Sequence, residues 1–465
     1  MNTASATHLF QSDASLALGE ARAAKARRTA HGAAYGYPIW LGVGASPLPS
    51  SADEPAPTPT RDLSSLAERA AGADGGLHKV LYAAVDEHSR IFTAEAGRLA
   101  RCTHLETGNA LATYTQHGGP VTSLAIIPVQ PSRTLVCTAS WDRHLRFWAA
   151  ERGASVPLLC VRDASTDLLK ALHFDAQHAV LCSGGSDKTV RLWNLQPVIQ
   201  WVRSLSENAW LGGTETEASP LPPLMGSYQV HTRPVVSLAS MPPAPAPPSQ
   251  WASDVRALHG SLLLWSADSM GRVLQVHFDP ASQRCSVMRE LDGPETNVHQ
   301  LALAWRMYDT ESYTLDVWCT SSDHTVRRFP LSSEARNAVL PGRVSHAGPA
   351  QGSQPPVRAD VCLTVPVGVR SVLPLDDAVV LGCADGTIQL WSGGACVSML
   401  DGHWHEVTFL GVWQRAEGPW LVSASLDGTV RRWPWAHLWE QRSASAASAV
   451  LTAEEEAELA ALLDE

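Results

Sequence analysis

The chain has 465 residues, a formal net charge of −11, nine cysteines and seventeen tryptophans. Its acidic balance speaks against a general nucleic-acid-binding surface, and no apolar run reaches the length of about eighteen residues that a membrane-spanning helix needs. The cysteines form no Cys-x-x-Cys pair and most fall in apolar runs, the pattern of reduced, buried thiols, so an intracellular setting, cytoplasmic or nuclear, is expected.

Residues 1–35 read as a flexible leader without an apolar secretory core, and the basic group Arg22, Lys25, Arg27 and Arg28 is opposed by Asp13 and Glu20, against a mitochondrial presequence. An apolar run at 36–41 (Tyr37-Pro38-Ile39-Trp40-Leu41) stands apart from every other apolar run in the chain, and the Pro/Ser-rich stretch 42–77, which contains SPLPSSADEPAPTPT, reads as a linker. Four short strands are expected next, at Lys79–Val85, Arg90–Ala94, Leu99–His104 and Ala110–Tyr114, with Thr107-Gly108-Asn109 as a turn.

Six clearer units come after these strands: LVCTASWDRHLRFW (135–148), VLCSGGSDKTVRLW (180–193), LLLWSADSMGRVLQV (262–276), VWCTSSDHTVRRF (317–329), VVLGCADGTIQLW (379–391) and LVSASLDGTVRRW (421–433). Each is an apolar run, a tight turn, and a second strand. In five of them an Asp precedes a large aromatic by six residues: Asp142/Trp148, Asp187/Trp193, Asp323/Phe329, Asp385/Trp391 and Asp427/Trp433. Val, Leu, Trp and Thr suit a pleated, half-buried surface, and Asp and Gly suit the turns. A single hairpin cannot bury its own faces, whereas recurrence in phase points to stacked sheets.

With Gly402-His403 ahead of the last unit and Trp193-Asn194 ending the second, the pattern resembles the WD-repeat family over roughly 78–435. The resemblance implies an all-β, seven-bladed β-propeller of four-stranded antiparallel sheets. The first, weaker unit completes the count of seven. Because the last sheet lacks an outer strand of its own, 36–41 is expected to return and pair with 429–435, covering the edge and closing the ring. Insertions are expected at 196–225, with a short helix near Val198–Leu205, at 243–259 and at 332–359, the plainer reading being solvated spacers. A linker and an acidic helix (LTAEEEAELAALLDE), with Thr452 and Glu455 at capping-box spacing, are expected within 436–465.

The resemblance also implies a hydrogen-bonded network of His, turn Asp, Ser or Thr and Trp inside each matching blade. Carried over, it takes His403, Asp427 and Trp433 in the last unit and His117, Asp142 and Trp148 in the second. Asp187, Trp193, Asp323, Asp385 and Trp391 hold the corresponding structural positions. The fourth unit departs, with Ser269-Met270-Gly271 at its turn and Val276 in the aromatic's place, so no network is expected there. On the face carrying these turns, Trp141, Arg143, His324, Arg370, Trp404 and His405 are partner-binding candidates, since Trp and Arg dominate interface hot spots.

Catalytic signatures are missing. No phosphate-binding glycine loop and no Gly-x-Ser-x-Gly elbow occurs. His403-Trp404-His405 has no matched metal ligands, Asp376-Asp377 reads as a turn, and the recurrent Asp residues fall in separate blades, so no catalytic residue, metal or cofactor is expected. The function expected is a non-enzymatic scaffold or adaptor for other proteins or peptides, a monomeric ring within an intracellular multi-subunit complex, bound to neither nucleic acid nor membrane. A substrate receptor of a ubiquitin ligase is the alternative, but the Trp-Asp-x-Arg ending is replaced by Trp148-Ala149-Ala150-Glu151 and Trp193-Asn194-Leu195-Gln196. A propeller hydrolase ranks last, because its channel strands (near Val121–Ile127 and Val369–Leu375) are mainly apolar.

Overall fold

The computed structural model describes residues 37–41, 44, 45, 48, 78–151, 156–212, 219–309, 312–331 and 357–439. The leader, the acidic C-terminal helix, nearly all of 42–77 and residues 332–356 lie outside that set.

Seven antiparallel sheets are formed among the described residues, six of them wound from an inner to an outer strand in chain order. Blade 1 comprises Val80–Val85, Arg90–Glu95, Ala100–His104 and Ala110–Tyr114. Blade 2 comprises Val121–Gln130, Arg133–Ser140, Leu145–Ala149 and Leu159–Val161. Blade 3 has Leu169–Asp175, Val180–Gly185, Val190–Asn194 and Leu224–Tyr228. Blade 4 has Val235–Ser240, Leu262–Asp268, Val273–Asp279 and Arg284–Leu291. Val298–Asp309, Ser312–Ser321, Thr325–Pro330 and Val361–Thr364 make blade 5. Val369–Pro374, Ala378–Cys383, Thr387–Ser392 and Ala395–Asp401 make blade 6. Blade 7 takes only three strands from its own end of the chain, Val407–Arg415, Gly418–Ser425 and Thr429–Pro434. Its fourth is Tyr37–Trp40, antiparallel to the third with Tyr37 opposite Arg432 and Trp40 opposite Thr429. A two-residue strand, Gly44–Ala45, makes this sheet five-stranded, beyond the expected four.

The first strand of each blade lies beside that of the next, and blade 7 returns to blade 1, so the molecule is a closed seven-bladed β-propeller. Its core is divided into seven apolar wedges, one between each pair of neighbours. The recurrent aromatic always faces the preceding blade: Trp148 packs on blade 1, Trp193 on blade 2, Phe329 on blade 4, Trp391 on blade 5 and Trp433 on blade 6. Val276 does the same toward blade 3. Area buried between sheets, which no blade can bury alone, thus enforces the ring.

Polar residues of the innermost strands bind across blades. Leu172 N–H donates to Ser123 Oγ (3.1 Å), Ser240 N–H to His173 Nε2 (3.0 Å), Leu301 N–H to Ser237 Oγ (2.9 Å) and Val372 N–H to Gln300 Oε1 (2.9 Å). The hydroxyls of Ser371 and Thr408 donate to the carbonyls of Val407 (2.8 Å) and Val80 (2.9 Å). These bonds satisfy inner-edge groups that no fifth strand pairs.

At the junction of blades 7 and 1, Tyr37, Ile39 and Leu41 enter one wedge with Val80, Ile91, Trp413 and Val430. Arg432, wholly buried, donates to the carbonyl oxygens of Tyr37 (3.1 Å), Leu105 (2.7 Å) and Glu106 (3.1 Å). It therefore ties the N-terminal strand, blade 7 and blade 1 at one point.

Two insertions differ from the expected spacers. Helix α1 (Gln196–Ser204), with Pro197 in its first turn, buries Val198, Ile199 and Val202 against the wedge of blades 2 and 3, and Trp210 of the next helix, α2 (Glu207–Gly212), joins them. In blade 4, α3 (Ser253–Arg256) buries Val255, and Trp251 is almost fully covered. Apolar residues at helical spacing give these segments a face to dock. At the C-terminal end, Trp435–Leu438 is a 3-10 turn with Leu438 buried, where a linker was expected from 436.

Candidate functional site

The turns joining second and third strands, and the segments entering each first strand, share one face of the ring. Blade 7 holds the fullest internal chain there. Trp433 Nε1–H donates to Ser423 Oγ (2.9 Å), Ser423 Oγ lies 2.8 Å from His403 Nε2, and His403 Nδ1 lies 2.9 Å from Asp427 Oδ2. The order assigns the imidazole proton to Nδ1, pointing at the carboxylate. Asp427 Oδ1 also accepts from the Thr429 N–H (2.8 Å) and hydroxyl (2.6 Å). Burial pushes the Asp427 carboxyl up, but His403, Arg431 and these hydrogen bonds outweigh it and hold the pKa below its ordinary value.

Blade 2 repeats the arrangement: Trp148 Nε1–H to Thr138 Oγ1 (2.9 Å), Thr138 to His117 Nε2 (2.7 Å), His117 Nδ1 to Asp142 Oδ2 (3.0 Å). Blade 3 has no histidine at this point; Ser165 Oγ donates to Asp187 Oδ2 (2.8 Å) and Trp193 Nε1–H to Ser183 Oγ (3.0 Å). Asp323 and Asp385 each cap their own turn through the next-but-one threonine, Thr325 (N–H 2.9 Å) and Thr387 (N–H 3.0 Å), and Trp391 bonds Gln389 rather than a hydroxyl.

Blade 4 overturns the expectation that it lacks a network. His231 Nδ1 lies 3.1 Å from Asp268 Oδ2 and Nε2 lies 2.7 Å from Ser266 Oγ, with Asp268 Oδ1 accepting from the Met270 (2.9 Å) and Arg272 (3.1 Å) N–H groups. Its carboxylate comes from the end of the second strand, two positions ahead of the usual turn Asp, and reaches the same imidazole. The signal lay in spacing: His231 precedes Val235 by four residues, as His117 precedes Val121 and His403 precedes Val407.

Ser266–His231–Asp268 and Ser423–His403–Asp427 share the order of hydrolytic triads. Yet Ser266 and Ser423 are 0% exposed, and neither hydroxyl can meet a substrate. Among the described residues, no group of three or more His, Cys, Asp or Glu is placed to hold a metal ion, and no helix is long and apolar enough to cross a membrane.

Of the six partner-binding candidates, three stand out into solvent. Trp141 is 44% exposed, Arg143 is exposed beside Asp163 (3.2 Å), and His324 is exposed. The other three are engaged within the protein. Arg370 pairs with Glu406 (2.7 Å), Trp404 lies under Arg431 with the guanidinium 5.9 Å from its ring, and His405 Nδ1 accepts the Glu406 N–H (2.8 Å). One feature of this face was missed in the sequence. In every blade the turn places one residue in the left-handed region: Arg98 (φ 66°), Arg143 (71°), Lys188 (66°), Gly271 (92°), His324 (64°), Gly386 (88°) and Gly428 (78°). Three blades use glycine, for which that region is free of strain. The other four use Arg, Lys or His, all exposed.

Three stretches of the sequence, 108–149, 158–194 and 394–434, match the WD40 family (WD domain, G-beta repeat). The chain is a WD-repeat β-propeller. Over 88 residues it is 33% identical to the ribosome biogenesis protein WDR12 homolog of Nematostella vectensis, a match spanning 19% of this chain and 19% of that protein. Its fold resembles the crystal structure of the computationally designed Ika8 protein, at 18% identity, with 77% of this chain and 97% of that chain covered, but the TM-score of 0.43 lends the likeness no weight. WD-repeat propellers are typically scaffolds, and this architecture fits protein interaction.

Substituting Asp268 by Ala is expected to lower stability by about 1–3 kcal/mol, because it strands His231 and two N–H groups. Asp323→Ala, with no imidazole to strand, should lose less, and chemical denaturation of both variants checks the order. Blade 1 offers a pH test. Glu95 is buried; burial raises its carboxyl to about 7, against the pull of Arg101 and the Thr93 hydroxyl. The folded chain therefore holds this proton more tightly than the unfolded chain, and the group's contribution to stability falls as pH climbs from about 4.5 to about 7. Glu95→Gln should raise the melting temperature more at pH 8 than at pH 5; an equal change at both would contradict the assignment.

Proposed function

We propose that this WD-repeat propeller is a non-enzymatic scaffold or adaptor that recruits an acidic segment of a partner protein to its turn face, within an intracellular multi-subunit complex. Four left-handed turn positions carry the reading. Holding a side chain there costs about 1 kcal/mol relative to glycine. Glycine occupies the equivalent position in blades 4, 6 and 7, so the turn itself does not demand Arg98, Arg143, Lys188 or His324. Their chemistry is the feature retained at that cost, and residues of this kind belong to recognition more than to folding. Blades 1, 2 and 3 are consecutive, so Arg98, Arg143 and Lys188 form an arc, with Trp141 beside Arg143 as an aromatic anchor. An arc of three basic residues on a chain of net charge −11, with Arg143 held only by an exposed ion pair to Asp163, favours an acidic partner and orients its approach.

The missing Trp-Asp-x-Arg endings weigh against the ubiquitin-ligase receptor.

The test is a variant with Arg143, Lys188 and His324 all changed to Gly, purified by affinity from the protein's own cells alongside the unaltered chain. Each substitution should leave stability unchanged or raise it by up to about 1 kcal/mol. Partners should be lost, and their retention by the unaltered chain should weaken with salt. A variant that keeps its partners would remove the reading.

A further inference from the structure

On the opposite face the ring is not symmetrical. In blade 4 the connection between first and second strands runs from Met241 to Ser261 and opens Pro242-Pro243-Ala244-Pro245. With the inner strands of blades 3, 4 and 5 it walls a cavity of about 810 Å³ that is open to solvent on one side and reaches Tyr82 of blade 1 across the channel. That size suits one small organic ligand.

None of the twenty residues lining this cavity is Asp, Glu, Lys or Arg, although charged residues make up 17% of the chain. Phe174, Leu238, Leu301, Leu303 and Trp251 supply apolar surface. Two of its polar groups, His173 and Gln300, are uncharged. His173 Nε2 accepts the Ser240 N–H, which puts the imidazole proton on Nδ1, and burial lowers its pKa to about 4, so it carries no charge at neutral pH. Gln300 Oε1 accepts the Val372 N–H (2.9 Å), and its amide NH2 remains a donor.

The wall is also built in advance. Trp305 Nε1–H donates to Pro242 O (3.1 Å) and Trp251 Nε1–H to Ala246 O (2.8 Å), with the two rings 4.7 Å apart. Ala252 N–H donates to Tyr313 O (2.8 Å), and Val255 is fully buried. Two indoles thus pin a proline-rich segment that has few N–H groups of its own, and little reorganisation is left for a ligand to impose.

We propose that this cavity binds an uncharged, mainly apolar small molecule bearing a hydrogen-bond acceptor, independently of the partner face. A net charge would be desolvated there without a counter-charge, whereas an apolar body with one carbonyl or ether oxygen meets both the lining and its donors.

The test uses the full chain and Nile red, a neutral, apolar dye with a carbonyl, followed by fluorescence titration. Saturable one-to-one binding is expected, with the anionic dye ANS at least about tenfold weaker. Ala244 lies exposed on the cavity's lip, so Ala244→Trp should fold normally and raise the Kd at least about threefold by obstruction. Leu303→Asp, checked for native circular dichroism, should raise it at least about tenfold. Trp141→Ala, on the other face, should leave it within about twofold. Failure of the unaltered chain to saturate, equal affinity for ANS, or an unchanged Kd in Ala244→Trp would overturn the proposal.

Discussion

The junction between blades 7 and 1 is the constraint on which the molecule depends. Every other pair of blades is joined by continuous chain, and its wedge is filled by residues that succeed one another closely. This junction joins segments almost four hundred positions apart, as in the bond from Arg432 to Tyr37 (395 residues). Three kinds of interaction meet there. Strand pairing covers the free edge of blade 7, Tyr37, Ile39 and Leu41 fill the wedge, and a buried guanidinium gathers three carbonyl oxygens. Such a guanidinium is tolerated only because its donors are taken up, and it fixes one register of the incoming strand rather than merely adding attraction.

Closure explains where polarity is found inside the ring. Many side chains of the kinds that carry out chemistry elsewhere, among them buried His, Ser, Thr and Asp, are consumed in holding sheet to sheet or turn to strand. His173 and Gln300 each accept from the backbone of the next blade, while His117, His231 and His403 brace turns. The side chains turned toward other molecules are the exposed ones at the turn tips on one face and the uncharged lining of the cavity on the other, where His173 and Gln300 also serve the architecture.

Much of the architecture was legible because repetition multiplies a weak signal. Asp-to-aromatic spacing, recurring in phase, fixed the strands of blades 2, 3, 5, 6 and 7, and an orphan apolar run at Tyr37–Leu41 could only belong to an unfilled edge. Blade 4 was misread because its carboxylate moved two positions, to Asp268, while the geometry it serves stayed in place. A search keyed to the turn residue cannot see that; one keyed to the histidine could. The docked helix at Gln196–Ser204 was placed but its burial was not, since docking depends on a neighbour's surface that local sequence does not contain. Backbone sign at Arg143, Lys188 and His324 was likewise hidden, because a basic residue in a left-handed turn is spelled like any other.

Closure by the N-terminal strand is tested most directly by comparing urea unfolding of the full chain with that of a chain lacking residues 1–41. Closure predicts a single cooperative transition for the full chain and, for the shortened one, a midpoint far lower than removal of an ordinary tail would produce, together with concentration-dependent association through the bared edge of Thr429–Pro434. A shortened chain that stays monomeric and unfolds at the same urea concentration would contradict it.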